Sequence, residues 1–278
     1  MAPPSKEGWL TFRRLELREA PSPLVRRLIG AGAVAFIILL WWLATRGAIP
    51  EERFISPALL PSPGEVVVSV PALFGERALF ASIAATLQRV LMGFGLAIVV
   101  GVPLGIVAGA WRVFDAASAP LALFGRNIPI AALIPITILW FGIDEAQKIM
   151  FIFIACLPFV FSDTVVAVLN VPDRYVETAQ TLGASRGQIV RKVLLSLAFP
   201  DVFNSLRNLF GLAFGYIMLA ELINAEHGLG YLLNASQRRG LTEHIILILV
   251  VIGALAFGID RLLHWFQKGL FPYRTAER

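Results

Sequence analysis

Six apolar segments dominate the sequence, and each is close to the length of helix that crosses a bilayer. The stretch from Leu28 to Ala44, for example, carries no charge and is bounded by Arg27 and Arg46. A helix needs about 20 apolar residues to cross the hydrocarbon core. Charged residues make up 15% of the chain and hydrophobic residues 57%, whereas soluble domains carry about 25% charged residues. We therefore predict an all-α integral membrane protein.

The predicted protein has one transmembrane domain of six spans at residues 28–268, with short polar ends. The N-terminal segment covers residues 1–27, the tail covers residues 269–278, and the main polar loop covers residues 171–189. The spans are predicted at about residues 28–46, 82–111, 116–141, 148–170, 190–220 and 245–266.

The distribution of Lys and Arg predicts the orientation of these spans. Cytoplasmic loops of membrane proteins carry an excess of these residues. With both termini and the 171–189 loop inside, the cations divide fourteen to six, which is the expected asymmetry. The inside set is Lys6, Arg13, Arg14, Arg18, Arg26, Arg27, Arg112, Arg174, Arg186, Arg191, Lys192, Lys268, Arg274 and Arg278, and the outside set is Arg46, Arg53, Arg77, Lys148, Arg238 and Arg239. We predict a multi-pass membrane protein with both termini and the 171–189 loop in the cytoplasm.

Two spans carry helix-packing signals. The second span has a run of glycines that predicts a small-residue face for close helix contact. Those glycines are Gly93, Gly95, Gly101, Gly105 and Gly109. The third span contains Pro120, Pro129 and Pro135, and we expect it to be irregular and packed inside the bundle, where neighbouring helices can satisfy the freed carbonyls.

The polar stretch from Pro172 to Pro200 predicts a short helix followed by a second helix that re-enters the membrane. Asp173 is a candidate N-cap and Gly183 a candidate left-handed stop. Between them Tyr175, Ala179 and Leu182 share one face at i, i+4 and i+7. Ser185, three residues before Gln188, then predicts a capping box for the second helix.

This polar stretch also resembles the EAA loop of the membrane-spanning subunits of ABC importers. The resemblance rests on Glu177-Thr178-Ala179, on Gly183, and on the later Val193, Leu195 and Pro200, although Thr178 and Ser196 depart from the pattern. It implies the fold of a type I importer permease, with this loop as the coupling helix that docks on an ATPase subunit. The implied coupling residues are Asp173, Tyr175, Glu177, Ala179, Leu182 and Gly183.

Other segments resemble the nitrate, sulfonate, taurine and bicarbonate branch of these permeases. They are Thr86, Arg89 and Gly93 with the Gly101–Gly105 run, the Ile128–Ile130 and Leu139–Gly142 segments, and Ala220-Glu221 with Gly228-Leu229-Gly230. The resemblance implies a location in the bacterial cytoplasmic (inner) membrane. The implied partners are a second copy of the chain, two ATP-binding cassette subunits, an external solute-binding protein, periplasmic or lipid-anchored, and the lipid bilayer.

Four ionisable residues lie within or near the apolar core: Arg126, Asp163, Asp201 and Arg207. Charges at such depth usually face a partner or a water-filled path. Arg126, Asp163 and Asp201 fall at a similar predicted depth, so they can form an ion-pair cluster that joins the third, fourth and fifth spans. A role in the solute path is the alternative. Asp201 and Arg207 are six residues apart and face different sides of one helix.

The sequence does not favour covalent chemistry. His227, His244 and His264 are isolated and lack the spacing of a metal site, and we identify no nucleophile elbow or phosphate-binding glycine loop. We therefore predict no catalytic residues, no metal and no cofactor on this chain, with ATP and magnesium bound by the partner ATPase, and we predict no nucleic-acid partner.

We predict a permease subunit of an ATP-driven importer for a small solute, an oxyanion such as nitrate, a sulfonate such as taurine, or bicarbonate. The alternatives are a secondary transporter or channel that works alone, and an intramembrane enzyme. The first alternative would be favoured by inverted repeats, and we find no convincing internal repeat.

Overall fold

The computed structural model describes residues 22–47, 53–75, 78–223 and 225–272. Residues 1–21 of the predicted N-terminal segment and residues 273–278 of the predicted tail lie outside this range. Every regular element among the described residues is helical, which confirms the predicted all-α class. The α-helices of the described residues are α1 (Pro23–Ala44), α2 (Pro63–Val68), α3 (Val70–Gly75), α4 (Leu79–Ala110), α5 (Arg112–Asn127), α6 (Leu133–Phe141), α7 (Glu145–Leu169), α8 (Asp173–Thr181), α9 (Arg186–Gln188), α10 (Leu195–Glu221), α11 (Leu229–Arg238) and α12 (Thr242–Leu270).

The chain divides into two compact units, one up to Pro63 and one from Gly64 onward. In the first unit α1 is a single apolar helix whose N-cap is Ser22. The segment that follows folds back on the end of α1, since the Trp41 indole donates to the Pro61 carbonyl (2.9 Å) and the Ile55 amide to the Ala44 carbonyl (3.2 Å).

The second unit is built on α4 and α7, which pack closely and run parallel. Gly93 lies against Ile149 and Ile152, Gly101 against Val160, and Gly109 against Val168, so positions along the two helices increase together. A Cβ added to Gly105 would lie 2.6 Å from the Thr164 Cβ. The predicted small-residue face is therefore a contact face, except that Gly95 has no neighbour within 4 Å and points elsewhere.

Because α4 and α7 are parallel, the chain must cross the unit between them, and α5 and α6 make this return. Their axes meet at 91° across a break at Ile128 and Pro129, which is followed by a 3-10 turn at Ile130–Ala132. The break has a local cause. Proline forces the preceding residue out of the α region, and Ile128 has an extended backbone (φ −68°, ψ 126°).

This return crossing differs from the single span predicted at 116–141. It begins at Arg112, it is broken into two helices, and α5 buries no residue within the chain. The expectation that the whole element packs inside the bundle is therefore wrong for α5. In α6, by contrast, Ile134 and Thr137 are buried.

Two further long helices, α10 and α12, run antiparallel to each other and complete the unit. The start of α10 packs on the end of α7 through Ala198 and Val202 against Val168 and Val171. The end of α12 lies beside the start of α10, where the Phe271 ring contacts the rings of Phe199 and Phe203 at centroid distances of 5.7 and 5.9 Å. Among the described residues, five helices are long and apolar enough to cross a membrane, or six if the bent pair counts as one. The bent pair connects opposite ends of the unit, as a sixth span would.

The second unit has a basic end and an acidic end. At one end of the unit, α4, α7 and α12 finish and α5 and α10 begin. At the other end, α4, α7 and α12 begin and α10 finishes. Exposed cations predominate at the first end: Arg112, Arg174, Arg186, Arg191, Lys192 and Lys268. At the second end, among residues that are at least partly exposed, carboxylates outnumber cations: Asp144, Glu145, Glu226 and Glu243 against Arg238 and Arg239. We call these the basic end and the acidic end.

The α4–α7 contact yields a stability prediction. Gly105→Ala places a methyl group against Thr164 and the Phe161 carbonyl, and overpacking of this kind costs about 1–3 kcal/mol. We expect a lower midpoint of thermal unfolding for the purified protein in detergent. Gly95→Ala is the matched control on the same helix, since nothing lies within 4 Å of the added atom. Equal midpoints for the two variants would contradict the close contact.

Candidate functional site

The first candidate site is α8, an exposed helix at the basic end. None of its residues is buried, and within the described part of the chain it packs mainly on the π-helical turn at Ile189–Leu194. Leu182, which follows the helix, is 81% exposed, and Tyr175 is 41% exposed. An apolar side chain that is held out in this way has no stabilising role within the chain.

Backbone geometry fixes both ends of α8. The N-cap is Pro172, and Asp173 is the first helical residue. The prediction that Asp173 is the cap is therefore wrong, because the fixed φ of proline (−60°) already sets the entry to the helix. Asp173 still favours the helix, since a carboxylate in the first turn stabilises the helix dipole.

The predicted stop at Gly183 is present, with a left-handed φ of +76°. The Gly183 amide donates to the Gln180 carbonyl and the Ala184 amide to the Ala179 carbonyl, both at 2.9 Å. This pair of bonds is the Schellman motif that closes a helix. A residue with a Cβ is strained at this φ.

The predicted capping box follows directly. The Gln188 side chain accepts from the Ser185 amide at 2.9 Å, and the Ser185 hydroxyl accepts from the Gln188 amide at 3.4 Å. It starts α9, which continues through the π-helical turn into α10. The result is an exposed helix joined by short, capped connections to α7 on one side and α10 on the other.

The exposed face of α8 is polar around its apolar residues. Glu177 is exposed, and Ala179 is half-buried. The Thr178 and Thr181 hydroxyls donate to the Arg174 and Glu177 carbonyls (2.6 and 2.9 Å). The hydroxyls are thus turned back onto the helix and leave the other side chains free for contact.

The predicted intramembrane charges separate into two groups. Arg126 of α5 lies 3.4 Å from the Asp163 carboxylate of α7, and its guanidinium also lies over the Phe159 ring at 5.0 Å from the centroid. Asp201 is half-buried on α10. The structure thus links the third and fourth spans through Arg126 and Asp163.

Arg207 has a different partner from those considered in the sequence. It forms a two-pronged ion pair with Asp260 of α12 (2.6 and 3.0 Å) and also contacts the His264 ring nitrogen Nδ1 at 3.1 Å. Since arginine can only donate, Nδ1 of His264 accepts in this contact. Arg207 therefore joins the fifth and sixth spans.

The most extensive polar network lies at the acidic end and was not among the predicted site residues. The Glu221 carboxylate, at the end of α10, is 0% exposed and accepts from the Thr86 hydroxyl (2.8 Å), Arg89 Nη1 (2.7 Å) and the Gly230 amide (2.9 Å). The Thr86 hydroxyl oxygen in turn accepts from the Leu229 amide at 3.0 Å.

Arg89 connects this network to α7. It is 3% exposed, and besides Glu221 it contacts both Glu145 carboxylate oxygens (2.5 and 2.6 Å) and the His227 carbonyl (2.7 Å). One guanidinium therefore joins the starts of α4 and α7 to the end of α10. We call Thr86, Arg89, Glu145 and Glu221 the outer network.

The loop after α10 is shaped to fit this network. Gly228 has φ +137°, and an added Cβ would lie 2.5 Å from the Glu221 carboxyl carbon. Only glycine fits at position 228, because any side chain there would clash with the Glu221 carboxylate. Sequence reasoning treated these residues only as part of a resemblance. The signal that could have identified the network is Arg89 itself, a charge inside a predicted span.

These features define a polytopic membrane protein with a rigid core of α4, α7 and α10, an exposed helix at one end and a buried ionic network at the other. The chain belongs to the family of binding-protein-dependent transport system inner membrane components, whose model matches residues 101–272. It is a membrane-spanning transport permease of the inner membrane and not an enzyme.

The chain is similar to several ABC permeases. It is 30% identical to the taurine transport system permease protein TauC of Escherichia coli (strain K12), over 95% of each chain. It is 28% identical to the nitrate import permease protein NrtB of Leptolyngbya laminosa, over 92% of this chain and 95% of the relative. It is 31% identical to the bicarbonate transport system permease protein CmpB of Synechococcus elongatus, over 69% of this chain and 70% of the relative.

The fold is similar to that of a solved transporter. A chain of the MetNI methionine ABC transporter in an inward-facing conformation superposes with a TM-score of 0.61, covering 70% of this chain and 98% of that one, at 22% identity. The predicted resemblance to ABC importer permeases is confirmed. The taurine, nitrate and bicarbonate permeases named above belong to the predicted branch.

The outer network yields a second prediction. Glu221→Ala leaves the Arg89 guanidinium buried with one partner removed, and breaking a buried ion pair in this way costs about 3–5 kcal/mol. We expect a large fall in the thermal midpoint of the purified protein, and a smaller one for Glu221→Gln, which retains an acceptor. Glu226→Ala, an exposed carboxylate of the same loop, is the control. An unchanged midpoint for Glu221→Ala would show that the network does not stabilise the fold.

Proposed function

We propose that two copies of this chain form the translocation pathway of an ATP-driven importer, with α8 as the coupling helix. Two ATP-binding cassette subunits would dock at the basic end, and an external binding protein would deliver the solute at the acidic end. The proposal rests most directly on α8, an exposed helix. It is followed by Leu182, an apolar residue that does not pack in the interior of the chain.

The charge distribution supports one orientation of the protein. The basic end carries most of the exposed cations, and such an excess favours the cytoplasmic side. This arrangement puts α8 on the side where ATP is available. It also puts the end of α12 in the cytoplasm. By the same rule Arg26 and Arg27, at the start of α1, favour the cytoplasm for the N-terminal side, so that both termini are inside.

A rigid core can transmit motion of α8 across the membrane. Short connections attach α8 to α7 and α10, and both of these pack on α4. At the far end the outer network joins the same three helices. We infer that closure of the ATPase subunits moves α4, α7 and α10 as one body, which opens one side of the pathway and closes the other. Contacts that differ between two states are what such coupling requires.

One face of α10 favours a pathway or a second copy as its neighbour. Asn204 and Asn208 are exposed on α10, on either side of Arg207, and lie in line with the exposed Gly211 and Gly215. Amide side chains are costly in contact with lipid tails and usually hydrogen bond to other helices or to water. We therefore infer that this face lines the interface between two copies, where the solute passes.

The solute class follows from the relatives. Permeases named for taurine, nitrate, sulfonates and bicarbonate are all similar to this chain over most of its length. We propose a small oxyanion or sulfonate as the solute. The choice among them depends on the external binding protein, so its ligand is the measurement to make first.

The coupling role of α8 yields a third prediction. Leu182→Ala removes an exposed apolar side chain that the fold does not need, and truncation of a central interface residue costs at least about 1–2 kcal/mol. We expect roughly a fivefold or greater loss of co-purifying ATPase subunit and of solute-stimulated ATP hydrolysis in liposomes, with an unchanged thermal midpoint.

Val113→Ala is the matched control for this variant. Val113 is also 81% exposed and lies at the same end, on α5. Equal loss of the ATPase subunit in both variants would indicate a general effect of surface truncation, and no loss in either would contradict docking at α8.

The importer assignment itself is tested by transport. We expect liposomes that contain the permease, its ATPase and its binding protein to take up one of taurine, nitrate or bicarbonate only when ATP is enclosed with the ATPase. Liposomes with the permease alone are the control. ATP-independent flux through the lone chain would instead support a secondary transporter or channel.

A further inference from the structure

A groove on the outer surface of α12 combines cations and aromatic residues near the basic end. Its volume is ≈ 560 Å³. Gly258 forms its floor among large neighbours, and Phe257 and Trp265 are 71% and 65% exposed. The polar residues that line it are Arg261, His264 and Lys268.

The two cations of this groove are available for an external partner. Arg261 and Lys268 are exposed and lie seven residues apart, so they share one face of α12. Among the described residues neither forms a salt bridge or a side-chain hydrogen bond. The neighbouring Asp260 carboxylate is held by Arg207. His264 uses Nδ1 for Arg207, which leaves its other ring nitrogen for the groove.

A second groove continues from the first toward the middle of α12. It has a volume of ≈ 360 Å³ and is lined by Val251, Ala254, Leu255, Gly258, Ile259 and Leu262, with Gly258 and Leu262 common to both grooves. All of these residues are apolar. The surface therefore changes from cationic and aromatic to purely aliphatic along one helix face.

The dimensions match one leaflet of a bilayer. Between Glu243 and Asp260 the helix carries no Asp, Glu, Lys or Arg, so Arg261 lies at the edge of the hydrocarbon core. From Arg261 to Val251 the helix rises about 15 Å, at 1.5 Å per residue, and half of a hydrocarbon core is about 15 Å thick. Trp265 is at the level where indole rings are enriched in membrane proteins.

We propose that this face of α12 binds an anionic phospholipid from the leaflet at the basic end. Arg261 and Lys268 hold the phosphate, Trp265 and His264 lie beside the headgroup, and one acyl chain occupies the aliphatic groove over Gly258. A zwitterionic lipid fits the aliphatic groove equally well but gains less from the two cations. The proposal does not depend on the identity of the transported solute.

The site also touches the contact between α10 and α12. His264 and Asp260 both bind Arg207, so a bound phosphate lies next to the ion pair that joins these two spans. We therefore expect the lipid to stabilise the bundle as well as to bind it.

Lipid retention by the complete purified transporter tests the proposal. Native mass spectrometry would compare phosphatidylglycerol with phosphatidylcholine of the same acyl chains. Each cation near the membrane surface contributes about 1 kcal/mol to anionic lipid binding, so Arg261→Gln with Lys268→Gln should lower phosphatidylglycerol retention roughly 30-fold. Phosphatidylcholine retention should not change.

The control is Arg238→Gln with Arg239→Gln, a cation pair at the acidic end, which should retain wild-type lipid binding. If the double α12 variant does not assemble, Lys268→Gln alone should give roughly a fivefold loss. Equal retention of the two lipids by the wild-type protein, or unchanged retention in the α12 variants, would overturn the proposal.

Two further measurements separate this lipid from other occupants. Gly258→Leu fills the floor of the groove and should weaken retention of long-chain phosphatidylglycerol. Competition by glycerol phosphate at equal concentration would overturn the proposal in favour of a simple anion site. A disulfide between two copies carrying Trp265→Cys would overturn it in favour of an interface with a second copy.

Discussion

The close, parallel contact between α4 and α7 is the constraint on which the rest of the structure depends. Gly93, Gly101, Gly105 and Gly109 let the two backbones approach until a single added methyl group would clash. In lipid, where no hydrophobic force drives helices together, such packing is a main source of association. Because the two helices run parallel, the chain between them must cross back, and the bent α5–α6 pair provides that crossing.

This contact also determines what lies at each end of the core. It brings the starts of α4 and α7 together, so that Arg89 can bind Glu145 and Glu221 in one buried network. At the opposite end the short connection through α8 keeps the end of α7 next to the start of α10, where Val168 packs against Ala198 and Val202. A buried charge network at one end and an exposed capped helix at the other suit a body that moves as a unit.

Local signals in the sequence were sufficient where one or a few neighbouring residues decide the structure. Gly183, and Ser185 with Gln188, marked the end of one helix and the start of the next because caps depend on bonds within about six residues. The assignment of Asp173 as a cap failed because Pro172 sets the entry. Pro129 signalled an irregular third span, but the 91° bend and the exposure of α5 depend on neighbours distant in sequence.

The sequence by itself determined a helical membrane protein, the approximate positions of its long apolar helices, the exposed helix between α7 and α10, and the resemblance to importer permeases. These follow from apolar length, charge placement and short-range caps. Only the tertiary structure decided which charges meet. Arg207 binds Asp260, and Arg89 binds Glu145 and Glu221, at separations of 53, 56 and 132 residues. Such partners depend on helix order, direction and rotation, which hydrophobic periodicity leaves open, and the energetic need to pair a buried charge does not say with which residue.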